Sequence, residues 1–146
     1  MLGVAKRNIE AEFTNKHIEI NNVLITAYEI GLIQNILNEK DEVERIYINF
    51  CNPWPKPRHN KRRLTYPTLL EKYKVFLKPN GEIYFKTDDD DLFNATEKYL
   101  QASGFEILKK TYDLHMENAS ENIITEHEEM FSSQGIKIKA LIAKLK

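Results

Sequence analysis

The apolar residues of this chain alternate between two spacings, and the changes of spacing mark out its elements. From Val4 to Phe13, apolar positions at near-helical intervals sit among strong helix formers and predict a helix that begins almost at the first residue. Asn21-Asn22 predicts a turn, and Val23-Leu24-Ile25-Thr26-Ala27 reads as a short buried strand. Ile30, Ile33, Ile36 and Leu37 form a helical stripe with Leu32 on its flank, followed by a solvated connection from Asn38 to Glu42. Arg45 to Phe50 is β-branched and aromatic and predicts a strand. Thr65-Tyr66-Pro67 is a helix start, with Pro67 suited to the first helical position. Leu69, Leu70, Tyr73, Phe76 and Leu77 line one face of that helix, and Lys78-Pro79-Asn80-Gly81 should stop it. Glu82 to Thr87 is a strand that ends in Asp88-Asp89-Asp90-Asp91. Leu92, Phe93, Thr96, Tyr99 and Leu100 mark the next helix, closed by Gly104. A strand from Phe105 to Asp113, a short helix from Thr125 to Phe131 and a terminal strand from Ile136 to Leu145 complete the pattern.

Strands alternating with helices predict an α/β domain with a mostly parallel sheet. The connection between the last two strands has room for a parallel crossover, so the residues alone leave the direction of the final strand open. At 146 residues the chain fits one domain. Its net charge of −1 excludes a global basic signature, so any affinity for nucleic acid must come from local clustering. A single cysteine excludes an internal disulfide framework. No run has the apolar length of a membrane span, and the apolar start is too short for a signal peptide. A reducing cytoplasm is the expected setting, with no membrane partner.

One stretch concentrates candidate chemistry. The strand ending at Phe50 runs into Cys51-Asn52-Pro53-Trp54-Pro55, a proline-stiffened turn, and then into Lys56, Arg58, Lys61, Arg62 and Arg63. A rigid loop at the carboxyl end of a buried strand is where open α/β sheets build their sites. The cations point to a polyanion, and Trp54 offers a flat face to a base. Asn52, held extended by Pro53, can donate and accept hydrogen bonds. Asp88, at the end of the next strand, could hold a base edge or a cationic product, or belong with Asp89, Asp90 and Asp91 to a solvated run in which one residue caps a helix. Thr125 and Glu128 match a capping box, the reading that their spacing favours, and could also hydrogen-bond a nucleoside. The four histidines and Cys51 show no metal-ligand spacing, so no metal is expected; Cys51 reads as a small packed side chain, not a nucleophile.

From about Val23 onward, several pieces in order resemble the bacterial tRNA (guanine-N7)-methyltransferase family. Asn49-Phe50-Cys51-Asn52-Pro53-Trp54-Pro55-Lys56 is similar to that family's N-F-S-D-P-W-P-K segment. Arg58-His59-Asn60-Lys61-Arg62-Arg63-Leu64 continues its R-H-x-K-R-R stretch, Leu77 to Glu82 and Lys86-Thr87-Asp88 match its L-K-P-x-G and T-D, and Thr125 to Glu128 its T-x-x-E. The resemblance implies a Rossmann-like methyltransferase fold whose mostly parallel sheet ends in an antiparallel strand. It implies S-adenosylmethionine as methyl donor and a variable-loop guanine of tRNA as acceptor. By position, Lys56, Asp88 and Thr125 to Glu128 would bind substrate, Asn52 would stand at the catalytic and cofactor position, and Glu29 is the one acid where an adenine-side residue is expected.

Two departures bear on the chemistry. Asn52 replaces the family's aspartate. Guanine N7 carries a lone pair and no proton, so attack on a sulfonium methyl needs no general base, and alignment can supply most of the catalysis. The family's cofactor half, with its Gly-rich first strand, should precede the helix near Val4, so an N-terminally truncated domain is expected. Loss of a central strand would expose edges, which pairing with a second copy could cover. Two other readings stay open here: an amino-group methyltransferase using the Asn-Pro-Trp-Pro loop, and an RNA-binding remnant without a donor site.

Overall fold

The computed structural model describes residues 2–117 and 122–146. The chain divides after Leu32 into two units. In the first, α1 (Leu2–Asn15) forms where its spacing predicts. It ends in a Schellman cap: Ile18 N donates to Phe13 O and His17 N to Thr14 O, each at 3.0 Å, with His17 at φ 54° where glycine is usual. Val23 to Ala27 is not a strand. Leu24 is fully exposed and the run joins no ladder among the described residues, because β propensity is expressed only against a neighbouring strand.

A 3₁₀ helix at Ile30–Asn35 replaces the expected α-helical stripe. In the second unit β1 (Val43–Asn49) is followed by a 3₁₀ turn at Pro57–Arg62, α2 (Pro67–Phe76), β2 (Leu77–Thr87) and α3 (Asp90–Ala102). Then come β3 (Phe105–Thr111), α4 (Glu126–Ser133) and β4 (Lys139–Leu145). The helix breaker at Lys78 to Gly81 survives as a kink inside β2. Pairing with β1 jumps from Val43↔Leu77 to Arg45↔Glu82, and Asn80 sits at φ 63°. Gly81 is required there, since a Cβ would lie 2.6 Å from the Leu77 side chain.

The sheet order is β1-β2-β4-β3. β1 and β2 are parallel, and β4 runs antiparallel to both β2 and β3. Three strands therefore point one way and the last is inserted against them, as the resemblance implied. Ile48, Phe85 and Leu141 form one inward row and Ile83 and Ala143 the next, packed under Leu70, Tyr73, Phe76, Leu92, Phe93 and Leu100 of α2 and α3. Burying such side chains contributes about 1.5–3 kcal/mol each. Gly104, at φ 84°, closes α3 as expected.

This topology places the site. The carboxyl ends of β1 and β2 and the start of β4 share one edge, with Asn49 beside Lys86 and Thr87 beside Lys139. α4 enters at that same edge. Among the described residues no helix is long and apolar enough to cross a membrane.

Candidate functional site

Beyond β1 the backbone takes two costly conformations. Phe50 has φ 51° and Trp54 φ 45°, a left-handed geometry that costs a bulky residue about 1–3 kcal/mol. Asn52 stands between them, exposed, its Oδ1 accepting from Trp54 N at 3.0 Å. Phe50 N donates to Lys86 O at 2.9 Å, which ties the loop to β2.

Arg63 holds the far side. Its side chain is buried, with Nε donating to Pro53 O at 2.8 Å and Nη2 reaching Trp54 O at 3.5 Å. The expectation that Arg63 faces substrate is corrected: it points into the loop and braces it. Lys56, Arg58, Lys61 and Arg62 are exposed. The Arg62 guanidinium lies 5.0 Å from the Trp54 ring centroid, so one face of the expected base platform already carries a cation. His59 meets the same ring edge-on at 5.7 Å. Tyr73 OH donates to Leu64 O at 2.9 Å and anchors the loop's exit to α2. Burial pushes the Cys51 thiol up to about 11, so it stays protonated at neutral pH and is no nucleophile.

At the end of β2 the acidic run separates into roles. Asp89 caps α3, its Oδ1 accepting from Leu92 N at 2.6 Å. Asp90 pairs with Lys139 at 3.0 Å, and Lys139 also donates to Asp88 O at 2.9 Å. The Asp88 carboxylate itself has no hydrogen bond or ion pair among the described residues.

The Thr125–Glu128 segment is half a capping box. Thr125 Oγ1 accepts from Glu128 N at 3.3 Å, but the glutamate does not return the bond. Glu128 is instead fully buried. Lys86 Nζ lies 2.9 Å from one carboxylate oxygen. Asn122 Nδ2 lies 2.6 Å and His115 Nε2 3.4 Å from the other. His127 stacks on Phe50 at 5.9 Å, so α4 touches the end of β1 as well as β2. The sequence assigns no site role to Lys86, Asn122 or His115: Lys86 stands in it only as the start of the Lys86-Thr87-Asp88 motif, and His115 only as a histidine without metal-ligand spacing. Strand parity puts Lys86 on the outer face, but nothing local links it to a glutamate 42 residues away. Glu29 belongs to the first unit, where its carboxylate accepts from Gly31 N at 3.4 Å.

Burial raises the Glu128 carboxyl, but hydrogen bonds from Lys86 and Asn122, the Lys86 charge and the Thr125 contact outweigh it, leaving it below the ordinary value. A lowered folded value gives stability that is present above the unfolded value and lost as pH falls through the folded one. Urea midpoints should therefore fall on acidification below the ordinary glutamate range, and Glu128→Gln should flatten that fall. An unchanged acid profile in the variant would show that Glu128 is not the group responsible.

The sheet face opposite α2 and α3 holds a cavity of about 460 Å³ lined in part by Arg45, Tyr47, Tyr84, Lys86, Asn122 and Thr125. The site thus joins an exposed amide, an uncommitted carboxylate and four outward cations at one sheet edge.

Residues 2–141 match a family model described as "Putative methyltransferase". The chain is 59% identical over 143 residues to a tRNA (guanine-N(7)-)-methyltransferase of Clostridium beijerinckii, covering 98% of this chain and 65% of that protein. It is 57% identical over 143 residues to the enzyme of the same name from Clostridium botulinum, with the same coverage. The chain spans 65% of the length of these curated relatives. An S-adenosylmethionine-dependent methyltransferase from Archaeoglobus fulgidus superposes with a TM-score of 0.51 at 12% identity, over 93% of this chain and 80% of that one, a likeness of fold.

Proposed function

This chain belongs to the methyltransferase family whose model spans residues 2–141, and from that premise we propose that it serves transfer of a methyl group from S-adenosylmethionine to N7 of a variable-loop guanine in tRNA. The observation that carries the RNA-facing part is the basic loop. Lys56, Arg58 and Lys61 are exposed and make no ion pair among the described residues, whereas Lys74, Lys78, Lys86, Lys110 and Lys139 all do. Cations left without protein partners beside a strained loop fit a phosphate backbone.

Asn52 and Asp88 fit the reacting end. When bound, S-adenosylmethionine supplies the methyl group as a sulfonium. The exposed Asn52 amide would orient the acceptor base, whose N7 lone pair needs no proton removed. The uncommitted Asp88 carboxylate would stabilise the positive charge that the base acquires. Lys56, Arg58 and Arg62 would hold the RNA backbone, and Glu29 is the candidate on the adenosine side of the donor.

Incubation with methyl-labelled S-adenosylmethionine and tRNA, followed by nuclease digestion, should yield 7-methylguanosine. Label on an exocyclic amine, or no label on tRNA that binds, would overturn the reading. Asn52→Asp should transfer at least as fast as the parent, because a carboxylate stabilises the cationic product better than an amide dipole. A loss of about 100-fold, the size seen when a preorganised stabiliser is removed, would show that Asn52 does not stand at the reacting centre.

A further inference from the structure

Lys86 joins the head of the Asn52 loop to the segment that leads into α4. Its backbone carbonyl accepts from Phe50 N at 2.9 Å, at the head of the Asn52 loop. Its ammonium has three protons and three acceptors: Ile123 O at 2.8 Å, Glu128 Oε2 at 2.9 Å and Asn122 Oδ1. Asn122 Nδ2 closes the ring by donating to Glu128 Oε1 at 2.6 Å. The Lys86 side chain is 14% exposed and the Glu128 side chain 0%, whereas the pairs Lys74–Glu71 and Lys78–Glu44 lie open to water.

We propose that Lys86 is a positioning residue: it locks the Asn122–Glu128 segment against the ends of β1 and β2, and so sets the surface that the segment offers to the acceptor RNA. This rests on the functional reading above. Both oxygens of Glu128 are engaged inside the protein, so Glu128 acts through Lys86 and Asn122, and the exposed side chains of the segment are those of Ile123, Ile124, Glu126 and His127. Two routes run from Lys86 to Phe50, two residues before Asn52. One is the Phe50 N–Lys86 O bond; the other passes through α4 and the His127 ring stacked on Phe50. A buried ion pair is stable only with all its partners present, so removing the cation leaves a carboxylate that draws the segment toward water. Removing both charges takes away that pull.

The test compares Lys86→Met, Glu128→Gln and the double variant Lys86→Met/Glu128→Gln with the parent chain. Backbone hydrogen exchange is read across residues 122–133 and at Phe50, and tRNA affinity across a salt series. Lys86→Met should speed exchange in that segment by about tenfold or more while α2 and α3 stay protected. It should weaken tRNA binding with the salt slope unchanged, because no phosphate contact is lost. The double variant should regain protection and most of the affinity. Glu128→Gln, which keeps the Lys86 bonds to Ile123 and Asn122, should show a smaller effect of the same pattern and carries the test if Lys86→Met does not fold. Exchange and affinity equal to the parent in Lys86→Met overturn the proposal. So does a salt slope shallower by about one, which would make Lys86 a phosphate contact. If the parent fails to bind tRNA, the functional reading falls, and the exchange pattern alone decides whether Lys86 locks the segment.

Discussion

Arg63→Ala should weaken tRNA binding as much as any single substitution in the basic loop, and should do so by letting the loop go. The side chain is buried and donates to Pro53 O at 2.8 Å, with Trp54 O at 3.5 Å. A hydrogen bond from a charged donor is worth about 1.5–3 kcal/mol, and truncation leaves a carbonyl without its partner. Against this, Phe50 and Trp54 hold left-handed conformations, and relaxing them returns part of the loss. The net expectation is about 2 kcal/mol of stability, read as a lower urea midpoint, with a larger share of the binding lost because Asn52 and the cations are no longer presented together. Arg63→Lys should fall between, since one ammonium can reach the Pro53 carbonyl but not span both. If Arg63→Ala leaves the midpoint alone and only lowers the salt slope, Arg63 is an RNA contact and the loop has another brace.

Arg62 and Arg63 also show where sequence reading stops. The two letters are identical and adjacent, yet one guanidinium lies on the Trp54 ring and the other is buried under the loop. That difference is set by the 3₁₀ turn at Pro57–Arg62, whose exit turns residue 63 inward, and no periodicity signals so short a turn. The core was legible because Ile46 and Ile48, Ile83 and Phe85, and Leu141 and Ala143 repeat at the strand period, and the α2 and α3 stripes at the helical one. The caps at Asp89 and Thr125 were legible because capping is local chemistry. Val23 to Ala27 has a strand's composition but no ladder among the described residues, since pairing is a property of two segments. The Lys86–Glu128 pair joins residues far apart in sequence and needed the sheet to be assembled first.

Neutralising the loop with Lys56→Ala, Arg58→Ala, Lys61→Ala and Arg62→Ala together should make the slope of log K against log salt shallower by roughly 3. Each phosphate contact contributes about 0.7–0.9 to that slope. The net charge of −1 gives no long-range attraction to a polyanion, so these four side chains must carry most of the salt dependence. Affinity near physiological salt should drop well beyond tenfold, while stability moves by about 1 kcal/mol at most, the cation–π contact of Arg62 being the one side-chain interaction lost among the described residues. Lys98→Ala on the exposed side of α3 is the control and should change neither. An unchanged slope in the fourfold variant would place the RNA elsewhere. Arg62→Ala alone separates charge from stacking: it removes one of the proposed phosphate contacts but uncovers the Trp54 face, which a base could then occupy. Its slope should fall while its affinity is partly recovered, and the two readouts part company only if Trp54 is a stacking platform.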